Sequence, residues 1–467
     1  MKKVSVVSCA ALGETPASED AGYRMRKENA MGVIKRVVVA MAKMKAIAMV
    51  VVVVMVALAG LVWAGSAAAQ TTVIKAGNLV DPATGTVKKD QTIVVKDGKI
   101  TAIGTQVSVP ADATVIDLSK AWVLPGLMDA HTHLTLGMNP AAPDLEVGYL
   151  KESTGWRLLR GVRSARAMLE AGFTTVRDIG NAANYADTDL RVAIEKGWFP
   201  GPTILNAGKI IAPFGGQSHN IVPEQARFWQ FEYIDADTPD EVRKAVRQNI
   251  YYGANTIKLV ADNSAYSYSV EEIRAAVDET HRAGMIVGVH VIRSDAARAV
   301  IEGGTDSIEH GFDLNDEVLK LMKSKGVVLV GTDFPLEHLK VMGTGGGILP
   351  PPEQTAAMIV DRLKRAYKIG VKMAFGSDVV LDLPGKTRAD MVMDYLDVWL
   401  AAGVPPAEIL KAMTTNAAEL FQWKGKRGAI AVGEAADIIA APENPLANIK
   451  ALQKVSFVMK DGRVMKQ

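Results

Sequence analysis

The chain has 467 residues, which is enough for one large domain and a smaller one. Its 53 basic and 51 acidic side chains nearly balance, so the composition gives no indication of a nucleic-acid partner. The single cysteine, Cys9, precedes the long apolar segment near the N-terminus. Disulfides and thiolate metal ligands are therefore excluded from everything after that segment.

Residues 1–69 are predicted to be a leader, with a signal peptide at about 43–69. Two lysines precede an unbroken apolar run over residues 46–64, and an Ala-x-Ala pattern ends at Ala69. This pattern predicts cleavage after Ala69, export to a bacterial periplasm or the medium, and no stable membrane association of the mature protein. The alternative is an uncleaved anchor, because 19 apolar residues are long enough to span a bilayer. Residues 1–43 fit neither a signal nor a domain, which suggests Met31 or Met44 as the true start.

The two ends of the mature chain have a similar, β-rich composition. Short runs of β-forming residues occur in 70–122 and again in 425–467, with hairpin signals at Asp97-Gly98 and Asp461-Gly462. Neither segment has enough apolar residues for a core of its own. We therefore expect one small β-sandwich built from both chain ends, with the middle of the chain inserted between them.

The middle segment, residues 123–424, alternates strand-like and helix-like stretches. Helices are predicted at 152–171, 187–196, 239–252, 271–283, 294–302, 316–324 and 355–368. Strands are predicted after residue 123 and at 173–179, 203–207, 256–260, 286–291, 306–310, 327–332 and 371–378. Eight such units in about 300 residues are typical of a TIM (β/α)8 barrel, and the fold class is α/β. Long loops at 136–151, 208–235 and 333–354 are expected at the pocket mouth.

Polar side chains occur near the ends of several predicted barrel strands. His131 and His133 end the first strand two residues apart, so their side chains face the same way and can share one metal. Four more residues lie in or at the ends of later strands: Lys258, His290, His310 and Asp378. Each histidine taken alone could be a structural histidine or part of a surface pair. Their joint placement favours one site, because barrel enzymes place catalytic groups at the C-terminal strand ends.

This set of side chains can hold two divalent metal ions. Nitrogen and oxygen ligands are those that zinc prefers, although manganese and cobalt accept similar ones. A charged lysine cannot bind a metal, but Lys258 carbamylated by carbon dioxide would become a bridging carboxylate. An interior lysine paired with an acid is an equally good interpretation of Lys258 on spacing alone.

The ordered motifs resemble those of the metal-dependent amidohydrolase superfamily over about residues 72–467. They are Pro125-Gly-Leu-Met-Asp-Ala-His-Thr-His133, Ile257-Lys258, Val289-His290-Val291, Ile308-Glu-His310-Gly311 and Gly376-Ser377-Asp378. The resemblance implies that His131, His133 and Asp378 bind the more buried metal, and that His290 and His310 bind the more exposed one. Carbamylated Lys258 would bridge them.

The resemblance also implies a hydrolytic mechanism in which metal-activated hydroxide attacks an amide carbonyl. Asp378 would accept the proton of the water and later deliver one to the leaving nitrogen. His219, in a glycine-preceded loop after the third strand, is our candidate donor to the oxyanion. A solvated loop histidine is the alternative for His219.

Within the superfamily the sequence is similar to the imidazolonepropionase-like group, which includes Xaa-Pro dipeptidases, N-acyl amino acid carboxypeptidases and ochratoxin amidases. Such substrates carry a terminal carboxylate. Arg293 on the loop after the fifth strand is placed to clamp a carboxylate, and Tyr266 and Tyr268 after the fourth strand are placed to donate hydroxyls. Each of the three could instead be ordinary loop surface.

The leading hypothesis is an exported binuclear amidohydrolase, with zinc as the expected metal, that cleaves the amide bond to a C-terminal amino acid in dipeptides, N-acyl amino acids or ochratoxin-like amides. A cyclic-amide hydrolase or deaminase acting on a heterocycle is the second hypothesis. A non-catalytic binding barrel is the third, although all six ligand positions are filled. The sequence leaves the number of subunits open, a homo-oligomer included.

Overall fold

A computed structural model of the chain describes residues 18–63, 71–138, 148, 150–181, 183–217, 221–225, 228–262, 267–343 and 349–467. The chain divides into two compact units, Met1–Ala69 and Gln70–Gln467. In its described part, the first unit consists of helix α1 (Ser18–Trp63). None of the described helices combines the length and apolar character that crossing a membrane requires. The predicted cleavage site after Ala69 lies outside the described residues.

The second unit alternates strands and helices through most of its length. Its strands are β1 (Thr72–Asp81), β2 (Thr86–Lys96), β3 (Lys99–Gly104), β4 (Thr114–Pro125), β5 (Leu127–Thr132), β6 (Phe173–Asp178), β7 (Thr203–Asn206), β8 (Ile210–Ala212), β9 (Tyr233–Asp235), β10 (Ile257–Val260), β11 (Val287–Arg293), β12 (Ser307–Asp313), β13 (Val328–Val330), β14 (Ile438–Ala441), β15 (Phe457–Lys460) and β16 (Arg463–Lys466). Its helices are α2 (Thr154–Glu170), α3 (Ala186–Glu195), α4 (Pro239–Tyr251), α5 (Val270–Arg282), α6 (Ser294–Gly303), α7 (Asp316–Lys325), α8 (Leu336–Met342), α9 (Pro352–Ile369), α10 (Arg388–Met393), α11 (Tyr395–Ala401), α12 (Pro406–Ala412) and α13 (Thr415–Leu420). This alternation is that of an α/β protein, as predicted.

Local sequence signals fix the helix ends. At the start of α5, the Ser269 side chain accepts from the Glu272 backbone N–H while the Glu272 side chain accepts from the Ser269 N–H. This reciprocal arrangement satisfies two backbone donors that the first helical turn leaves without partners. At the end of α9, Gly370 adopts φ of +82°, a left-handed conformation that glycine takes without steric cost.

Both ends of the second unit contribute to one seven-stranded sheet, here called the terminal sheet, in the order β16-β15-β14-β4-β1-β2-β3. Its two tightest turns carry the predicted residue pairs, Asp97-Gly98 and Asp461-Gly462, with positive φ at all four positions. That conformation matches the right-handed twist of a hairpin. Gly77 is required where β1 meets β4, because a Cβ there would lie 1.8 Å from the Ser119 carbonyl oxygen.

The inserted segment forms two parallel sheets. One has the order β13-β12-β11-β10-β8-β9 and the other β5-β6-β7. Almost every residue of these strands is buried, as expected when helices cover one face of a parallel sheet and side chains fill the other. The C-terminal ends of these strands lie together at one edge, as they do in parallel sheets.

Backbone hydrogen bonds link the two parallel sheets at both sides. The Asn206 carbonyl accepts from the Asn255 N–H at 2.9 Å. On the other side, Ala374 donates to the Leu329 carbonyl at 3.0 Å, and the Phe375 carbonyl accepts from Ala130 at 2.7 Å. The segment around residue 374 thus lies between β13 and β5.

Three predicted elements differ from the structure, one of them the loop expected over 333–354, which contains helix α8 (Leu336–Met342). The expected strand over 371–378 is reduced to one β-bridge between Met373 and Leu329. Gly376 lies where this segment approaches β13 closely, because a Cβ there would lie 2.3 Å from Val330 Cγ1. The predicted long loop over 208–235 contains the strands β8 and β9, which pair in parallel. The apolar run Ile210–Ala212, which forms β8, is buried.

Candidate active site

The six predicted ligand residues lie at or near the ends of parallel strands or of the segment that joins them. His131 is in β5 and His133 follows it, Lys258 is in β10, His290 in β11 and His310 in β12. Asp378 follows the Met373 bridge, and its N–H donates to the His131 carbonyl at 2.7 Å. All five basic side chains are buried, and the Asp378 side chain is 14% exposed. Strand ends therefore bring together residues from distant parts of the sequence.

The Asp378 carboxylate lies among three imidazoles. Its Oδ1 is 3.1 Å from His133 Nε2 and 3.6 Å from His131 Nε2, and its Oδ2 is 3.6 Å from His310 Nδ1. One ligand atom from each of His131, His310 and Asp378 lies within 4.8 Å of the other two, which is a spacing at which a single ion can be held. The donor set suits a divalent transition metal.

Hydrogen bonds orient the first two histidines with Nε2 toward Asp378. His131 Nδ1 is 2.8 Å from Glu309 Oε2, and His133 Nδ1 is 2.8 Å from the Gly180 carbonyl oxygen. A carboxylate and a carbonyl can only accept, so both Nδ1 atoms carry protons. The Nε2 atoms, 3.2 Å apart, are thereby the ones available to a metal.

His290 contains a buried nitrogen that a metal would satisfy. Its ring lies 4.3 Å from the His310 ring, between centroids. Its Nε2 atom has no hydrogen-bond partner among the described residues, and its nearest acid, Asp262, lies at 3.9 Å. Leaving such an atom buried and unpaired costs about 1–3 kcal/mol, so this position fits a ligand better than a structural histidine.

Burial sets the protonation states of these side chains. It lowers the pKa values of His131, His290 and His310 well below the usual range, which keeps the rings in the neutral form that binds metals. Burial also opposes the charge on His133, but the hydrogen bond and charge of Asp378 raise its pKa overall. A cation bound here would displace the His133 proton.

Lys258 is buried next to this cluster. Burial lowers the pKa of its amine to about 8, and the nearby charges of Glu309 and Asp378 offset only part of that effect. The neutral, nucleophilic form of the amine is therefore far more populated near neutral pH than that of a surface lysine.

Three residues at this edge have a strained backbone. His310, Thr332 and Asp378 have φ values of +69°, +44° and +53°, a region that non-glycine residues rarely adopt. Such conformations cost about 1–3 kcal/mol each and cluster at functional sites. The Thr332 hydroxyl lies 2.8 Å from His310 Nδ1 and holds that ring in place.

The predicted substrate-binding residues that the structure describes differ in their exposure and hydrogen-bond partners. Arg293 is half exposed, and its guanidinium donates to Asp295 and to the Ser267 hydroxyl, both at 3.1 Å. Tyr268 is buried and its hydroxyl donates to the Ala236 carbonyl at 2.7 Å, so a substrate would have to displace that bond. His219 and Tyr266 lie outside the described residues.

Sequence patterns predict no role for two charged residues beside the cluster. Glu309 lies within one of the motifs, and Arg177 lies within a predicted strand. The structure places Arg177 Nη2 2.6 Å from Glu309 Oε1, with both side chains fully buried. A charged residue inside a predicted barrel strand was the available signal, because such residues are rarely buried without a partner.

An α/β fold with a candidate metal site at its strand ends is typical of metal-dependent hydrolases, and the match to known families makes this class specific. Residues 122–465 match the family model described as the amidohydrolase family. This match covers most of the chain, and the protein belongs to that family. It is therefore a hydrolytic enzyme that acts on C–N bonds of small-molecule amides.

Individual relatives place it in the imidazolonepropionase-like group. Ochratoxinase from Aspergillus niger is 29% identical over 442 residues, which cover 87% of this chain and 89% of that protein. A solved Xaa-Pro dipeptidase with methionine bound in its active site is 29% identical, with a TM-score of 0.74, and the match covers 85% of this chain and 100% of that one. Imidazolonepropionase from Kosmotoga olearia is 24% identical over 420 residues, 81% of this chain and 91% of that protein.

Proposed function

We propose that this protein is an exported, binuclear metal-dependent amidohydrolase that cleaves the amide bond to a C-terminal amino acid. The observation that carries the proposal is the Asp378 carboxylate among the imidazoles of His131, His133 and His310, with His290 and Lys258 buried beside them. Zinc is the metal we expect for this nitrogen- and oxygen-rich set.

The proposed architecture is a closed TIM barrel with a sandwich formed by the terminal sheet region. The hydrogen bonds of Asn206 to Asn255, Ala374 to Leu329 and Ala130 to Phe375 support closure on both sides. We place the domain boundaries at 70–122 and 425–467 for the sandwich and 123–424 for the barrel. Closure matters for function because it brings the ends of β5 and β12 to one pocket.

Lys258 is proposed to carry a carbamate that bridges the two ions. An amine whose pKa is about 8 is deprotonated often enough near neutral pH to react with carbon dioxide. The product is a carboxylate, and the cost of burying its charge is offset by bound cations. The buried position of Lys258 supports this proposal over a lysine that stays charged.

When bound, two divalent cations would lower the pKa of a water molecule and so supply hydroxide near neutral pH. Asp378 is placed to accept the proton released by that water, because its carboxylate is the partly exposed group at the centre of the cluster. It would then return a proton to the leaving nitrogen. His219 remains our proposed donor to the oxyanion.

The preference for a free carboxylate on the substrate is supported by Arg293 and by the relatives. The Arg293 side chain is 49% exposed and lies three residues after His290. Asp295 and Ser267 hold its guanidinium, which leaves it restrained but accessible. The dipeptidase relative holds methionine, a free amino acid, in its active site.

A paired substrate panel tests the proposal. The full chain would be supplied with zinc and bicarbonate and assayed on dipeptides and N-acyl amino acids, on their carboxyl-amidated counterparts, and on cyclic amides. Selective hydrolysis of the free-carboxylate substrates is expected. Hydrolysis of cyclic amides alone would replace the proposal with the cyclic-amide alternative, and a protein without bound divalent metal would contradict it altogether.

Export is tested separately. We propose that the leader is removed after Ala69 and that the mature protein, whether a monomer or a homo-oligomer, is not membrane-bound. Expression of the full chain in a Gram-negative host, followed by N-terminal sequencing of the periplasmic fraction, should find Gln70 as the first residue. An intact leader in the membrane fraction would contradict this proposal.

A further inference from the structure

Outside the ligand set, a group of buried, hydrogen-bonded charged side chains lies behind His131. Glu309 Oε2 accepts from His131 Nδ1 at 2.8 Å, and Glu309 Oε1 accepts from Arg177 Nη2 at 2.6 Å. All three side chains have no exposed surface. One carboxylate therefore joins a candidate metal ligand to a guanidinium.

The Arg177 guanidinium donates to residues of two other strands, β5 and β12. Besides Glu309, its Nε donates to the Ala130 carbonyl at 2.7 Å and its Nη1 to the Ser307 hydroxyl at 3.1 Å. Ser307 in turn donates to Glu309 Oε1 at 2.5 Å. Ala130 directly precedes His131, so Arg177 fixes the backbone and the ring of that residue through separate bonds.

A glycine in strand β11, Gly288, makes room for this group of side chains. A Cβ on Gly288 would lie 2.5 Å from Glu309 Oε1 and 3.0 Å from Arg177 Nη1. Strand β11 thus approaches the charged pair so closely that any side chain would displace it.

We propose that Glu309 and Arg177 are positioning residues that hold His131 in its Nδ1–H tautomer with Nε2 directed at the metal position. The Glu309 carboxylate accepts a hydrogen bond from His131 Nδ1–H, which makes the ring a better electron donor to a metal. The guanidinium donates to the other oxygen of that carboxylate and so fixes its position behind the ring. Neither residue contacts substrate.

This inference rests on the proposed function for its metal, but its first test needs none. In the metal-free protein with 15N-labelled histidine, NMR should show His131 protonated at Nδ1, with the signal assigned by its loss in His131→Asn. In Glu309→Gln the amide can rotate and offer an N–H instead, so a mixture of tautomers is expected. A signal that Glu309→Gln leaves unchanged would overturn the proposal.

The second test measures zinc affinity by competition with a chelator. Glu309→Gln should weaken zinc binding by about 10- to 100-fold, the usual effect of losing an acceptor behind a histidine ligand. The matched control is Asp437→Asn, which removes the acid of another buried ion pair, with Arg427 in the terminal sheet region. The control should lower the melting temperature without changing zinc affinity. Equal zinc affinities in Glu309→Gln and the control would overturn the proposal.

A milder variant keeps the proposal testable if Glu309→Gln does not fold. Ser307→Ala removes one hydrogen bond from Glu309 and one from Arg177, and should weaken zinc binding roughly fivefold. Unchanged affinity in that variant would also overturn the proposal. If the wild-type protein binds no divalent metal, the proposed function fails, whereas the tautomer measurement still decides the role of Glu309.

Discussion

Asp378 Oδ1 lies 3.1 Å from His133 Nε2, although the two residues come from opposite ends of the inserted α/β segment. The His133 Nδ1 proton is already committed to the Gly180 carbonyl, so Nε2 is the atom that meets the carboxylate. This contact raises the pKa of His133 despite its burial and places the acid and the ligand at one point. Most of the predictions below depend on this cluster.

Replacing Asp378 by Asn should lower kcat by at least about 100-fold, because an amide cannot accept and return a proton. Bound metal should remain largely intact, since the three neighbouring histidines are unchanged. Steady-state kinetics and metal analysis of the same sample measure both effects. The matched control is Asp382→Asn, an acid on the same loop that pairs with Arg163 and lies outside the cluster. Activity retained in the Asp378 variant would remove it as the proton carrier.

Replacing Arg293 by Met should raise KM about 10- to 100-fold for substrates with a free carboxylate, the range expected for a charge-assisted hydrogen bond. Amidated counterparts should be affected much less. Arg298→Met serves as the control, because Arg298 lies on helix α6, which directly follows Arg293, is equally exposed and pairs only weakly with Glu317, at 3.5 Å. An equal rise in KM for both kinds of substrate would contradict the carboxylate clamp.

Lys258→Ala should lose the bridging ligand, bind fewer than two equivalents of zinc and lose most of its activity. Short carboxylic acids such as acetate should restore part of both, because they can occupy the space of the carbamate. Lys209→Ala is the control, since Lys209 is partly buried and burial lowers its pKa as it does that of Lys258, but its Nζ donates to the Gln230 carbonyl. Full zinc content in the Lys258 variant would show that the lysine is not a ligand.

The stability of the metal-free protein should depend on pH through His290. Burial holds its folded-state pKa well below 6.5, so the unfolded chain binds the extra proton first. The stability that neutral His290 contributes is therefore complete above pH 6.5 and is lost as pH falls toward the folded-state pKa. Relative to His290→Gln, the wild type should lose about 1.4 kcal/mol between pH 7.5 and 5.5, measured by chemical denaturation. If the difference in unfolding free energy between the two proteins stays constant over this pH range, burial does not lower the pKa of His290.

Much of the fold could be predicted because its signals are local. The helix predicted at 316–324 is observed as Asp316–Lys325, and the strand predicted at 173–179 as Phe173–Asp178. Apolar periodicity and turn residues carry that information within a few residues of each element. The strand prediction for residues 371–378 was wrong. The apolar run of this segment predicts a strand, whereas the close approach of Gly376 to Val330 is a tertiary contact that the local sequence does not show.

The sequence by itself determined the α/β class, the family and the six candidate ligands, because these depend on residue types at fixed spacings along strands. Only the tertiary structure decided which nitrogen of His131 and His133 faces Asp378, and that Glu309 and Arg177 lie behind His131. It also showed that the Tyr268 hydroxyl is bonded to Ala236. Hydrogen-bond partners and burial depend on strands that are far apart in the chain, and no spacing within one strand encodes them.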